Sequence, residues 1–337
     1  MLVIGLDIGG ANLKAAVSDG QAVARPFPLW KAPQLLASEL AALLALLPRA
    51  DALAVTMTGE LADCFPSKAD GVRSIVAAVA KVSADRPTFY WQTGGEFLCP
   101  ADAVECPRLV ASANWHALAT FCGRVLPEGP GLLIDVGSTT TDLIPLRDGG
   151  VTAAGLTDRE RLRSGELVYT GATRTPVCTL GPSIEFDGTP EPLAAELFAT
   201  MRDVYLVLEL LPEAGDDLDT ADGRPATVSC ARHRLARMLC ADEDELDPST
   251  VDRLAAALAA RQQALIGRSL NRVLDGMDGR PDVVICGSGS FVARRVVAES
   301  PRLAGSQATS LAEIFARRIS CAACAYAVAR LAVERAV

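Results

Sequence analysis

Only two histidines, His116 and His233, occur among 337 residues; they stand far apart, and neither lies near a matched serine or cysteine motif. That argues against a histidine-dependent nucleophilic triad. Positive charge is also short: 32 Lys and Arg against 41 Asp and Glu leave a net charge of −9 with no basic stripe, which argues against a sequence-independent nucleic-acid binder. Long apolar runs are missing. The longest near the start, "PQLLASELAALLALLPRA", contains Glu39 and ends at Pro48, too interrupted to span a bilayer. The expected protein is soluble, with neither a membrane nor a nucleic acid as partner. No charged, then apolar, secretory segment opens the chain, and ten cysteines are scattered without a disulfide or zinc spacing, so a reducing cytoplasm is the expected compartment. Cys321 and Cys324, the one close pair, read as small packing residues of an Ala-rich helix.

What is present is alternation. "MLVIGLDIG" and "LKAAVSDG" read as strands around a Gly-Gly turn, "PQLLASELAALLALL" as a helix, "DALAVTMTGE" as a buried strand, "GVRSIVAAVAKV" as a helix and "PTFYWQTGG" as a strand. "LVASANWHALATFCGRV" (109–125) is expected to be one helix, with further helices near 191–211, 230–240 and 249–275, then the strand "PDVVICGSGS" and two more helices. Strands interleaved with helices indicate α/β layering. Pro and Gly cluster in "RVLPEGPG" (124–131), which suggests lobes at 1–127 and 128–337, with a helical insertion about 190–275 and a glycine loop at 286–290.

The chain also repeats itself. Setting Asp7 against Asp135 aligns "LDIGGANLK" with "IDVGSTTTD": a strand, an Asp, an apolar residue, a Gly, a small polar turn and a second strand. An Asp at a buried strand end needs a positive neighbour, and near a phosphate a hydrated divalent cation serves. Gly9, Gly10 and Gly137 let backbone N–H groups approach an anion, the hydroxyls of Ser138, Thr139, Thr140 and Thr141 add donors, and Lys14 adds a point charge. Either turn alone would pass for an ordinary hairpin, but two matched turns point to a shared phosphate cleft. Glu60 follows the strand "LAVTMTG" and either projects into that cleft or simply caps a helix start. Arg174 in "GATRTPV" is placed to bind a carboxylate or phosphate, whereas Asn114 is as well explained by a satisfied buried amide. The acidic run "ADEDELDPS" (241–249) reads as a solvated helix cap.

These residues carry a resemblance. "GLDIGGANLKAAV" and "LLIDVGSTTTDL" resemble the two phosphate loops of the actin, sugar-kinase and heat-shock ATPase superfamily, and "VVICGSGSF" (283–291) resembles its adenosine-side glycine loop. "MTGELADCF", "ASANWHALA", "DVGSTTTDLIPL", "SGELVYTGATRTPVC" and "TADGRPATVSCARHRLARMLCAD" resemble, in that order, the hydantoinase/oxoprolinase-like branch linked to tetrahydromethanopterin-dependent one-carbon metabolism. The resemblance implies two RNase H-like lobes around a phosphate-binding cleft. It also implies an alkyltransferase of methanofuran-type cofactor biosynthesis, joining an (aminomethylfuryl)methyl diphosphate to the phenol of a glutamyl-tyramine-type acceptor and releasing diphosphate. An ATP-dependent amidohydrolase or a small-molecule kinase is the alternative.

On that reading Asp7 and Asp135 organise Mg²⁺, and Gly9, Gly10, Asn12, Lys14, Gly137 and Ser138 through Thr141 cradle the diphosphate. Gly287, Ser288 and Gly289 join them in binding the diphosphate or a nucleotide. Asp142 or Glu60 is the base, while Thr58, Gly59, Asn114 and Arg174 meet small-molecule substrates. ATP is allowed but not favoured, and a homodimer is compatible with the chain.

Overall fold

The computed structural model describes residues 1–186, 188–242 and 244–335; Glu243 of the acidic run, with Asp187, Ala336 and Val337, lies outside the described residues. Strands β1 (Val3–Ile8), β2 (Asn12–Val17), β3 (Ala22–Pro26), β4 (Ala52–Met57), β5 (Thr88–Trp91) and β6 (Phe97–Leu98) form a sheet in the order β3-β2-β1-β4-β5-β6. All six positions of β1 and of β4 are buried, as expected for parallel strands covered on both faces. A second sheet contains β7 (Pro130–Val136), β8 (Thr141–Arg147), β9 (Gly150–Val151) and β10 (Leu167–Val168). After a separate hairpin of β11 (Ser183–Phe186) and β12 (Thr189–Pro192), β13 (Asp282–Cys286) and β14 (Ala308–Ser310) complete it in the order β10-β8-β7-β13-β14, with β9 on β8.

The two sheets share one pattern. Reading across from β3 or from β10, the pairings run antiparallel, antiparallel, parallel, parallel. These are two RNase H-like lobes, and the registers match as well: Asp7 stands opposite Lys14 in the first hairpin, and Asp135 opposite Asp142 in the second.

Three apolar cores hold the layers together. Helices α1 (Leu36–Leu44) and α2 (Lys68–Val82) cover the outer face of the first sheet, packing Leu40, Leu43, Ile75 and Val79 on Leu6 and Val55. Next come α3 (Pro100–Glu105), α4 (Pro107–Val110), α5 (Asn114–Cys122) and, after β9, α6 (Asp158–Ser164). Helices α7 (Met201–Val207), α8 (Val228–Arg237), α9 (Pro248–Asp275) and α10 (Ser290–Glu299) build the outer core of the second lobe. Short α11 (Leu311–Phe315) and α12 (Arg317–Cys321) lead into α13 (Ala323–Arg335). The third core lies between the sheets, where Leu118 of α5 and Val328 of α13 join Val3 and Ala54 on one side to Leu133 and Val284 on the other.

Small residues allow α13 that position. A Cβ added to Gly5 would lie 1.9 Å from the Ala325 carbonyl oxygen, so β1 and α13 touch backbone to backbone. Gly5→Ala must push the helix off the sheet and is expected to cost about 1–3 kcal/mol, as overpacking does, read as a lower urea midpoint. Of the cysteine pair, Cys324 is buried beside β1, whereas Cys321 is exposed, so only one of the two is a core residue.

Two expected helices are shorter than their sequence pattern. The segment 109–125 breaks at Ser112, whose φ of 50° is left-handed, so α4 ends at Val110 and α5 starts at Asn114. In 191–211 the helix is confined to Met201–Val207: Pro190 and Pro192 belong to the β11–β12 hairpin, and a Thr200–Asp203 capping box starts the helix late.

Candidate functional site

The two hairpin turns are built alike. The Gly9 N–H donates to the Asn12 carbonyl at 3.0 Å, and the Gly137 N–H donates to the Thr140 carbonyl at 2.9 Å, each glycine two residues and each carbonyl five residues past its Asp. A side chain at Gly10 would meet nothing within 4 Å, which leaves that side of the first turn open to a ligand. The first turn is braced by N–H groups of Phe27 and Leu29 on the carbonyls of Ala11 and Gly10; the second by those of Ala172, Thr173 and Arg174 on the carbonyls of Gly137 and Ser138. Ser138, Thr139 and Thr140 are half-buried at the second turn. Thr141 is not a cradle donor: it is the first residue of β8, fully buried, and its hydroxyl donates to the Thr170 carbonyl at 2.8 Å.

Glycines bring further segments against these turns. Gly287, at φ +88°, sits where a Cβ would come within 2.3 Å of an Asp135 carboxylate oxygen, and the Gly289 N–H donates to the Val136 carbonyl at 2.8 Å. The glycine loop therefore closes over the end of β7, with Ser288 exposed. In the first lobe the Thr58 N–H donates to the Ile8 carbonyl, and a Cβ on Gly59 would lie 3.2 Å from the Gly9 carbonyl oxygen.

Charge concentrates between the turns. Lys14 is coupled to both Asp7 and Asp135; burial alone would lower its pKa, but those carboxylates hold its ammonium above the ordinary value. Burial raises Asp7 and Lys14 pulls it part-way back. Asp135 is pushed up to about 6 by burial and by the nearby Asp142 charge, against the pull of Lys14 and the Cys286 thiol. The first pair across a hairpin is thus carboxylate with ammonium, and the second is carboxylate with carboxylate.

Asp142 is not free to act as a base. Arg161 of α6, 1% exposed, holds it at 2.5 Å and stacks its guanidinium 4.0 Å over the Trp115 ring. Burial raises Asp142 and Arg161 opposes that rise. Glu60 fits no helix-cap role either. It is 1% exposed in a single turn after β4, and the Ser112 hydroxyl lies 2.8 Å from its Oε1. Among the described residues the buried polar atoms without a partner include Asp7 Oδ1, Thr56 Oγ1, Glu60 Oε2 and Trp115 Nε1; Thr56 is the register partner of Asp7 across β1 and β4.

The remaining expected contacts lie at the edges. Asn114 accepts the Trp115 N–H at 2.7 Å at the start of α5, a structural role. Exposed Arg174, from the second lobe, stacks 4.7 Å over Trp30 of the first, and Lys31 lies 5.9 Å from the same ring. His116 is a buried neutral group, lowered to about 4 by burial and by Arg335 and Arg161. Sequence reasoning missed Trp30, Ser112, Asp158 and Arg161. No spacing rule ties any of these residues to its partner.

The hydantoinase/oxoprolinase family model matches residues 51–335. The chain is 33% identical over 98% of its length, and over 97% of the relative's, to the (4-{4-[2-(gamma-L-glutamylamino)ethyl]phenoxymethyl}furan-2-yl)methanamine synthase of Methanocaldococcus jannaschii. It is 32% identical to the protein of the same name from Methanococcus vannielii, over 59% of this chain and 89% of that one. Among solved structures, a nucleotide-free acetone carboxylase superposes with a TM-score of 0.52 at 11% identity, covering 88% of this chain and 67% of that chain. That likeness bears on the two-lobed fold alone. Among the described residues no helix is long and apolar enough to cross a membrane.

Proposed function

The chain belongs to the hydantoinase/oxoprolinase family, and within it we propose that this protein is an ether-forming alkyltransferase of methanofuran-type cofactor biosynthesis. It moves an (aminomethylfuryl)methyl group from its diphosphate to the phenol oxygen of a glutamyl-tyramine-type acceptor and releases diphosphate. The observation that carries the reading is the 33% identity to a synthase of that product along almost the whole of both chains. The paired turns support it, since a cradle for a nucleotide's phosphates serves equally for the diphosphate of an alkyl donor.

The chain's residues have separable tasks. The hydroxyls of Ser138 and Thr139 and the ammonium of Lys14 meet the negative charge that grows on the departing diphosphate, and so bind the transition state more tightly than the ground state. The furan ring delocalises the positive charge at its methylene carbon, so that end needs little from the protein. Asp7 and Asp135 suit Mg²⁺, which takes one or two carboxylates together with substrate phosphates. Among the described residues Asp7 Oδ1 is buried without a partner, and no group of three or more His, Cys, Asp or Glu is placed to hold a metal without help from substrate. When bound, the ion would neutralise diphosphate oxygens. A cytoplasmic setting and a link to tetrahydromethanopterin-dependent one-carbon metabolism follow from the same reading, and ten unpaired cysteines suit a reducing compartment.

Ligand-dependent melting tests the cradle. Diphosphate with Mg²⁺ at 100 times its dissociation constant should stabilise the protein by about 2.7 kcal/mol, and the alkyl diphosphate should do at least as well. Stabilisation by ATP but not by diphosphate would favour an ATP-dependent amidohydrolase or kinase instead. Arg174, stacked on Trp30 across the lobes, is positioned for an acidic group of the substrate. Hydrogen bonds to charged groups contribute about 1.5–3 kcal/mol, so Arg174→Ala should raise KM about 10- to 100-fold with kcat nearly unchanged. An unaltered KM for both substrates would remove Arg174 from recognition.

A further inference from the structure

Ser112 makes two contacts that one hydroxyl cannot satisfy alone. Its Oγ lies 2.8 Å from Glu60 Oε1 and 2.8 Å from Asp158 Oδ2, while Lys68 Nζ lies 2.9 Å from the same Asp158 oxygen. A hydroxyl carries one proton. With both carboxylates ionised, one of the two short contacts would set oxygen against oxygen with no hydrogen between them. The group closes only with a second proton, and the geometry assigns it to Glu60, because Asp158 already has its ion-pair partner in Lys68. Burial raises the Glu60 carboxyl, with Asp158 adding to the rise and Ser112, the Glu60 backbone N–H and Lys68 opposing it.

The arrangement has a direction. At one end Glu60 is 1% exposed, its Oε2 has no partner among the described residues, and its neighbour Gly59 packs on the first phosphate turn. At the other end the Asp158 and Lys68 side chains are 22% and 42% exposed. Glu60, Lys68 and Ser112 come from the first lobe and Asp158 from the second. Ser112 holds its place at φ 50°, the left-handed conformation that breaks the expected helix, and strain of that kind gathers at functional sites.

We propose that Glu60, Ser112 and Asp158 form a proton wire that carries the acceptor's phenolic proton from the cleft to solvent. The proposal rests on the reaction proposed above for the source of that proton. As the aryl oxygen bonds to the methylene carbon and diphosphate leaves with the electrons of the broken C–O bond, the phenolic proton passes to Glu60 Oε2. The proton on Oε1 moves to Ser112 Oγ, and the serine proton moves to Asp158 Oδ2, which releases it to water. Each hydrogen bond reverses, charge is conserved, and no further reactant is needed. Glu60 is the catalytic residue; Ser112 and Asp158 act through it.

The test uses variants that leave the fold in place. Ser112→Gly suits the left-handed backbone and removes the hydroxyl; Asp158→Asn still accepts from Ser112 but cannot take a proton. Each should lower kcat about 10²-fold, the lower end of general acid–base contributions, leave KM unchanged and flatten the pH dependence of kcat. Infrared spectra at neutral pH should show a protonated-carboxyl band that disappears in Glu60→Gln and shifts in Ser112→Gly. Wild-type rates and pH profiles in both Ser112→Gly and Asp158→Asn would overturn the wire while leaving the reaction intact. A wild-type protein that forms no ether would overturn the reaction, and the shared proton would then stand or fall by the infrared band, whose absence refutes it.

Discussion

Asp135→Asn should lose 10²–10³-fold in kcat while melting at a higher temperature than the wild type above pH 6. The loss follows from the role proposed for it beside the diphosphate, because removing one stabilising group at a developing anion costs about 2.7–4 kcal/mol. The gain follows from its pKa, about 6 in the folded chain against an ordinary 3.8. A raised carboxyl favours the protonated folded state, so its contribution to stability is complete below about pH 4 and is lost as the pH rises through about 6. Asn mimics the neutral form at every pH. Its advantage should be present at pH 8 and absent at pH 4, readable by calorimetry without Mg²⁺. Asp7→Asn should share the kinetic loss, since it takes away the other carboxylate of the pair. Near-wild-type turnover in either variant with Mg²⁺ limiting would remove that residue from the mechanism.

Arg161→Ala should destabilise the fold by about 3–5 kcal/mol, the range for leaving one member of a buried ion pair alone. Arg161 and Asp142 are 1% and 13% exposed in their side chains, and Arg161 also covers the Trp115 ring. Without the guanidinium, Asp142 faces Asp135 across the second hairpin with no counter-charge on that side. Arg161→Lys should recover only part of the loss, because an ammonium can neither fork onto the carboxylate nor stack flat on the indole. Adding Asp142→Asn to Arg161→Ala should restore part of the stability by removing the stranded charge. Urea denaturation measures all three, and a single Arg161→Ala cost below about 1 kcal/mol would mean that the pair does not organise the second hairpin.

The hairpin turns were legible in the sequence because their information is local. Asp, apolar residue, Gly and polar turn recur at Asp7 and Asp135, and a period-two strand on each side fixes which residues face one another, so Lys14 and Asp142 could be found from spacing alone. The duplicated lobes followed from the same repeat. Contacts between distant segments left no such trace. Ser112 lies 52 residues from Glu60 and 46 from Asp158, and it meets them only because the chain turns left-handed inside a stretch whose apolar pattern reads as one continuous helix. Arg161 sits in a capped surface-like sequence, "TDRERLRS", yet is buried, because Asp142 and Trp115 lie on the other side of it. The Ala-rich end of the chain announced a helix but not its position between the sheets, which depends on Gly5 near the other end of the chain meeting Ala325 backbone to backbone.

The most direct test of the account is to incubate the purified protein with the (aminomethylfuryl)methyl diphosphate, glutamyl-tyramine and Mg²⁺, without ATP, and to follow diphosphate release alongside the mass of the ether. The expected result is equimolar ether and diphosphate, with no product from an acceptor analogue that lacks the phenolic hydroxyl. ATP hydrolysis driven by a lactam or a hydantoin-like amide, with no ether formed, would contradict it.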